Sequence, residues 1–424
     1  MSRDLAVFGL TRSSDAADVL MEGVSLHALA AQFGTPCFIY SEAALTTAFH
    51  ALDDALKAAR GHRPYLVCYA VKANSTLAVL NLFARLGAGF DIVSGGELQR
   101  VLKAGGDPCK VVFSGLGKTE AEMKLALAAD IKCFNIESEP ELERLNAVAS
   151  AMGKTACVSL RVNPDVDAKT HPYISTGLKN NKFGVAFDRA LSVYRKAAAL
   201  PHIDVAGVDC HIGSQLTDAA PLREAMARIV ALADALAAEG IPVHHICPGG
   251  GIGITYSDEP TIDLGRYANA LQAALGDRDV ELLLEPGRVL VGNAGVLLTR
   301  VEYVKLTEAK NFLVVDAAMN DLLRPPLYQA YHEVINVRRS DAPSRVYDVV
   351  GPICESADVL ATGRELSADS TDTLAILSAG AYAFVMSSNY NTRPRAAEVM
   401  VRGSEARVVR ARETFDDIVR GESV

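Results

Sequence analysis

Short apolar runs recur through the first two-thirds of the chain, at 66–71, 90–93, 111–113, 133–136, 157–162, 205–210, 244–247 and 281–284. Between them lie Ala-, Leu-, Glu-, Lys- and Arg-rich segments with helical spacing, such as 96–104, 119–129, 140–152, 188–200 and 221–239. Runs this short and this apolar predict strands buried on both faces, as in a parallel sheet covered by helices. Thr119-Glu120 and Ser138-Glu139 read as helix starts. Eight such strands, each followed by a helix or room for one, predict an α/β fold of the (β/α)8 TIM-like barrel type. An open doubly wound sheet is the competing architecture, and the polar residues decide between them. They fall directly after successive strands: Lys72 and Asn74, Asp91 and Ser94, Ser114, Glu137, Arg161 and Asn163, His211 and Ser214, the glycines of 249–253, then Glu285 and Arg288. A barrel gathers its chemistry from many strand ends, whereas an open sheet concentrates a ligand at one switch point.

After Arg288 the texture changes. Stretches 289–304, 312–315, 373–377 and 398–409 alternate or run apolar with β-branched residues, and helical periods nearly vanish. The expected division is a barrel over 30–294 and a C-terminal β-rich domain, of barrel or sandwich type, over 295–424, joined by residues 1–29. A strand at 36–40 and a helix to about Arg60 open the barrel stretch. With 22% charged residues and 50% hydrophobic ones, the chain is ordinary and globular. A net charge of −9 without a long basic run argues against nucleic acid or a membrane surface as partner. No apolar run approaches the ~20 residues of a spanning helix, and the first residues lack the apolar core of a signal peptide. The eight cysteines include no Cys-x-x-Cys pair and the nine histidines no metal-ligand spacing, so neither zinc nor a disulfide framework is expected. These features point to a cytoplasmic protein.

Several strand ends carry residues suited to chemistry. Lys72 ends the strand in Tyr65-Leu-Val-Cys-Tyr-Ala-Val-Lys-Ala-Asn74, where partial desolvation would favour the neutral amine that attacks a carbonyl. The bland alternative is a lysine that snorkels to solvent. Val243-His-His-Ile-Cys-Pro-Gly-Gly-Gly-Ile-Gly253 runs a strand into a glycine cluster, either a tight turn or a phosphate loop. Barrels often bind phosphate after strands seven and eight, and this is the seventh. Glu285-Pro-Gly-Arg288 fixes an acid and a base on a rigid turn, as a surface ion pair or as ligand contacts. Asn320-Asp-Leu-Leu-Arg-Pro-Pro-Leu-Tyr328 suits a carboxylate clamp through Arg324 and Tyr328. In Gly351-Pro-Ile-Cys-Glu-Ser-Ala-Asp358 the neighbouring acids disfavour a thiolate, so Cys354 fits a proton donor better than a nucleophile.

Together with His171-Pro-Tyr-Ile-Ser-Thr-Gly-Leu-Lys179, His211-Ile-Gly-Ser-Gln215 and Ser388-Asn-Tyr-Asn-Thr-Arg-Pro394, these stretches resemble the pyridoxal-phosphate decarboxylases built on an alanine-racemase-like barrel. Among these they are most similar to the diaminopimelate decarboxylases, in order over about residues 35 to 400. The resemblance implies decarboxylation of meso-2,6-diaminopimelate to L-lysine and carbon dioxide, with pyridoxal 5′-phosphate as cofactor. By the same resemblance Lys72 bonds the cofactor, Asp91 and Tyr382 contact it, His211 stacks on its ring, and Glu285 pairs with the ring nitrogen. Ser214, Gly250, Gly251, Gly287 and Arg288 hold the phosphate. Arg288, Arg324, Tyr328 and Tyr382 contact the substrate, the arginines and Tyr328 at its far carboxylate. The resemblance further implies a homodimer with shared sites, in which Cys354 of the partner subunit donates a proton and Glu355 of the partner subunit reads the distal ammonium. A decarboxylase of D-ornithine, D-lysine or carboxynorspermidine, or a non-catalytic cofactor carrier, is the alternative.

Overall fold

The computed structural model describes residues 5–15, 17–166 and 182–424, so the stretch His171 to Lys179 lies outside the described residues. All eight expected barrel strands form: β1 Tyr65–Ala70, β2 Gly89–Ile92, β3 Val111–Phe113, β4 Cys133–Ile136, β5 Ala156–Asn163, β6 Ile203–Asp209, β7 His245–Cys247 and β8 Glu281–Leu284. Each pairs in parallel with its successor. β8 pairs with β1 through Leu282 and Tyr65, which closes the ring. An open sheet would leave β1 and β8 as edges; here they pair with each other. Helices Leu77–Arg85, Gly95–Lys103, Glu120–Ala128, Glu139–Ala151, Phe187–Ala199, Ala220–Ala238 and Leu264–Leu275 follow β1 to β7 in turn.

Local chemistry sets where these helices begin. Thr119 accepts from the Glu122 amide while the Glu122 side chain reaches back to Thr119, a reciprocal cap. Ser94, Ser138 and Asp263 each accept from a first-turn amide. Parallel strands buried on both faces favour apolar side chains in the barrel wall, as with the completely buried Phe90, Phe113 and Phe134. Asn135, Ser159 and His245 are buried polar exceptions within the strands, and the site forms at the strand ends.

Backbone contacts divide the chain into two compact units, one of residues 49–254 and 260–289, the other of 1–48, 255–259 and 290–424. The second unit is built on strands Cys37–Ser41, Gly295–Leu306, Asn311–Val315, Ser344–Val350, Val359–Ser367, Thr373–Ile376, Ala397–Arg402 and Glu405–Arg410. Its core packs Phe8, Val19 and Met21 from the N-terminal stretch against Val296, Leu298, Leu377 and Val399. Strand Cys37–Ser41 belongs to this sheet. It pairs with Gly295–Leu306 and Ala397–Arg402 rather than with the barrel strands that the sequence places around it.

Candidate active site

β1 runs into a tight 3-10 turn, Val71–Ala73, so Lys72 leaves the sheet at the barrel rim with 34% of its side chain exposed. Its Nζ donates to Oδ2 of Asp91, a fully buried side chain near the end of β2. The other carboxylate oxygen, Oδ1, is buried with no hydrogen-bond partner among the described residues. A buried acceptor left unmade is costly, so such an atom marks a place where a ligand group or a proton is wanted.

Glu285 follows β8 and is buried, with Oε1 accepting from Asn135 Nδ2 at 3.1 Å. Burial, reinforced by Asp91 and Asp209, pushes its carboxyl well above the usual range. Asp209, closing β6, is pushed up to about 7 by burial, although Arg161 pulls the other way. Arg161 itself pairs with Glu137 at 2.9 Å. Asp209, Cys247 and Glu285 bring one atom each within 4.8 Å of one another. Burial and both acids push the Cys247 thiol up, so it keeps its proton.

His211 follows β6. The Gly250 N–H donates to its Nδ1 at 3.3 Å, which places the ring proton on Nε2. Burial, with Arg161 and Lys72 nearby, holds its pKa well below the ordinary value. The imidazole is therefore neutral, a flat ring suited to stacking.

The glycine cluster threads between two backbones. A Cβ on Gly249 would lie 2.4 Å from the Cys210 carbonyl oxygen, and one on Gly250 1.9 Å from that of Glu285. On Gly251, whose φ is +95°, it would lie 2.2 Å from the Gly213 oxygen. Only glycine fits these close approaches. Arg288 Nη2 donates to Ser214 Oγ at 3.0 Å, and the Ala70 amide donates to Pro286 O at 2.9 Å. The latter bond ties the Glu285–Arg288 turn to the strand that carries Lys72.

In the β-rich unit Arg324 opens a short helix, Arg324–Tyr328, whose first turn holds a proline pair. Its side chain is buried, with Nη1 2.7 Å from His332 Nε2 and the guanidinium carbon 4.5 Å from the centre of the Tyr256 ring. Tyr328 is half-buried. Cys354 and Glu355 are exposed on a loop held by Asp358, which accepts from the Met319 and Ile353 amides at 2.7 Å each. Tyr390 OH donates to Glu355 at 2.5 Å. Tyr382 is half-buried with φ +55°, on a turn where a Cβ at Gly380 would lie 1.8 Å from the Val291 oxygen.

The family of pyridoxal-dependent decarboxylases, through the model of its pyridoxal-binding domain, matches residues 42–292. The chain is 58% identical over 404 residues to the diaminopimelate decarboxylase of Vibrio cholerae, covering 95% of this chain and 96% of that one. The chain belongs to the diaminopimelate decarboxylase family. It is likewise 58% identical over 408 residues to the diaminopimelate decarboxylase of Pseudomonas aeruginosa, covering 96% and 97% of the two chains. The crystal structure of diaminopimelate decarboxylase from Helicobacter pylori complexed with L-lysine matches with a TM-score of 0.89 at 42% identity, covering 93% and 98%. Members are pyridoxal-phosphate-dependent carboxy-lyases, and this chain is one of them.

The barrel rim suits the family's cofactor on chemical grounds. Asp91 Oδ1 lacks a partner among the described residues, the upward shift of Glu285 would be relieved by a new cation such as a protonated ring nitrogen, and the glycine loop presents main chain with no side chains to screen it. The structure brings Lys72, Asp91, His211, Ser214, Gly250, Gly251, Glu285, Gly287 and Arg288 to strand ends of one unit. Arg324, Tyr328, Cys354, Glu355 and Tyr382 lie in the other. Sequence reasoning passed over Asn135, Asp209, Tyr256 and His332. Asn135 carried a signal, a lone polar residue inside Cys133-Phe-Asn-Ile136. His332 carried none, since nothing in its local pattern points to Arg324.

Proposed function

We propose that the chain decarboxylates meso-2,6-diaminopimelate to L-lysine and carbon dioxide, in the cytoplasm, as a homodimer with shared sites. The observation that carries this reading is the convergence at one rim of a half-exposed lysine, a neutral imidazole, a proton-rich carboxyl and a side-chain-free glycine loop. Lys72 would bond the aldehyde of pyridoxal 5′-phosphate, His211 would cover its ring, and Glu285 would hold the proton on its nitrogen. Ser214, Gly250, Gly251, Gly287 and Arg288 would receive the phosphate, with Asp91 and Tyr382 as further contacts. When bound, the cofactor supplies an electron sink for the pair released as carbon dioxide leaves.

The chain's own groups do the rest. Asp91 takes the Lys72 ammonium and so orients the amine. Arg288, Arg324 and Tyr328 select a far end that carries a carboxylate, and Tyr382 borders the substrate. Glu355 of the partner subunit reads the distal ammonium, and Cys354 of the partner subunit returns the proton to the carbon that lost its carboxyl group.

Mass-spectrometric product analysis with meso-diaminopimelate, D-lysine and carboxynorspermidine in separate reactions tests the reading. Lysine from the first alone is expected. Turnover of another substrate would overturn the carboxylate clamp. Bound cofactor without turnover would favour a carrier.

A further inference from the structure

We propose that His332 and Tyr256 are positioning residues that set the plane and direction of the Arg324 guanidinium for the substrate's far carboxylate. The inference rests on the reading of Arg324 as the residue that takes that carboxylate.

His332 is completely buried, and its Nδ1 lies 2.8 Å from the Leu377 carbonyl oxygen. A carbonyl only accepts, so Nδ1 carries the proton and donates. Nε2 lies 2.7 Å from Arg324 Nη1, and a guanidinium only donates, so Nε2 is the acceptor. Both ring nitrogens are thereby assigned, and the imidazole is neutral. Tyr256 lies under the same guanidinium, 4.5 Å from ring centre to carbon, and meets His332 edge-on at 5.3 Å between ring centres. Tyr256 is itself fixed, because the Tyr256 and Ser257 amides both donate to Glu259 Oε2, at 2.9 and 2.7 Å.

Two supports of different kind therefore act on one planar group. The imidazole fixes one nitrogen, and the aromatic face fixes the plane. Together they fix where the remaining N–H groups of the fork point. Carboxylate recognition by arginine depends on such alignment, because paired N–H donors must meet two oxygens at once. Neither support carries a negative charge that would offset the guanidinium, whereas an acid in the place of His332 would compete with the substrate. A neutral acceptor orients the cation without itself offsetting the charge.

The test compares His332→Leu, His332→Gln and Arg324→Gln in the cofactor-loaded full chain. Glutamine keeps a side-chain oxygen at about the reach of Nε2, and leucine does not. Losing a hydrogen bond to a charged group costs about tenfold in binding. His332→Leu is expected to raise KM for meso-diaminopimelate by about tenfold with kcat within about threefold and cofactor content unchanged. His332→Gln is expected to recover most of that loss, and the leucine effect should vanish in an Arg324→Gln background. An unchanged KM in His332→Leu, or an equal loss in the Arg324→Gln background, would overturn the proposal. If Arg324→Gln alone leaves KM unchanged, the clamp reading has failed instead. Should His332→Leu not fold, Tyr256→Leu carries the test. A KM raised by about threefold at constant kcat supports positioning, and an unmoved KM overturns it.

Discussion

At the barrel rim, ionisable groups sit behind the surface and act on one another. In the β-rich unit Arg324 and Glu355 are instead held by neutral neighbours. Lys72 meets Asp91 and Arg161 meets Glu137, while Glu285 and Asp209 crowd together and are pushed toward their protonated forms. Arg324 rests instead on an imidazole and a phenol ring, and Glu355 takes a phenolic proton at the surface. The first arrangement changes how tightly groups hold protons, which covalent and acid–base work requires. The second controls the direction of a charged group, which recognition requires.

The comparison can be broken at its strongest point first. Lys72→Ala should remove measurable turnover and the absorbance of covalently bound cofactor together, since among the described residues Lys72 is the amine bonded to Asp91. Retained turnover would show that the rim's coupled charges are structural. Cys354→Ala should lower kcat by roughly 10²- to 10⁴-fold while the cofactor stays bound, the range for loss of a positioned proton donor. A change under about fivefold would remove the exposed thiol from the chemistry.

A third measurement concerns pH. The folded-state pKa of Asp209, about 7, lies above its unfolded value, so the folded protein holds an extra proton between the ordinary carboxylate range and that value. That contribution to stability is present at the acid end and is lost as pH rises through the window. The thermal midpoint of cofactor-free protein should therefore fall by several degrees across it, and Asp209→Asn should flatten the slope. An unaltered slope would mean that the buried acids do not titrate against folding. The smallest effect belongs to the surface. Tyr390→Phe removes the phenol from Glu355 and should change KM by no more than about threefold, as expected of an exposed contact. A larger change would show that the β-rich unit tunes its charges as the barrel does.

The barrel was legible because parallel strands are apolar on both faces and so stand out against amphipathic helices. Lys72 and Glu285 were legible for the same reason, as the first polar groups where an apolar run stops, whereas Asp209 closes its strand ahead of His211 and was overlooked. Strand Cys37–Ser41 was misplaced because its composition matches a barrel strand, and only its pairing with Gly295–Leu306 assigns it elsewhere. Strands Ser344–Val350 and Val359–Ser367 went unread, as Arg345, Asp348, Arg364 and Glu365 interrupt their apolar pattern. Contacts such as Asn135 with Glu285 join residues 150 positions apart. No local period encodes such a pair.

The loop through Gly249, Gly250 and Gly251 has a consequence for how such an enzyme could change over time. Its form comes from main chain lying against main chain at distances where a Cβ would strike a carbonyl. A part made this way has no adjustable component, since every available replacement adds an atom to a place already filled. Arg324, by contrast, owes its direction to two side chains that can each be exchanged for others. On the proposed reading, the seat of the phosphate is therefore fixed hardware, and the recognition of the substrate's far end is the movable part. A descendant that learned a different amino acid would keep the first untouched and rewrite the second.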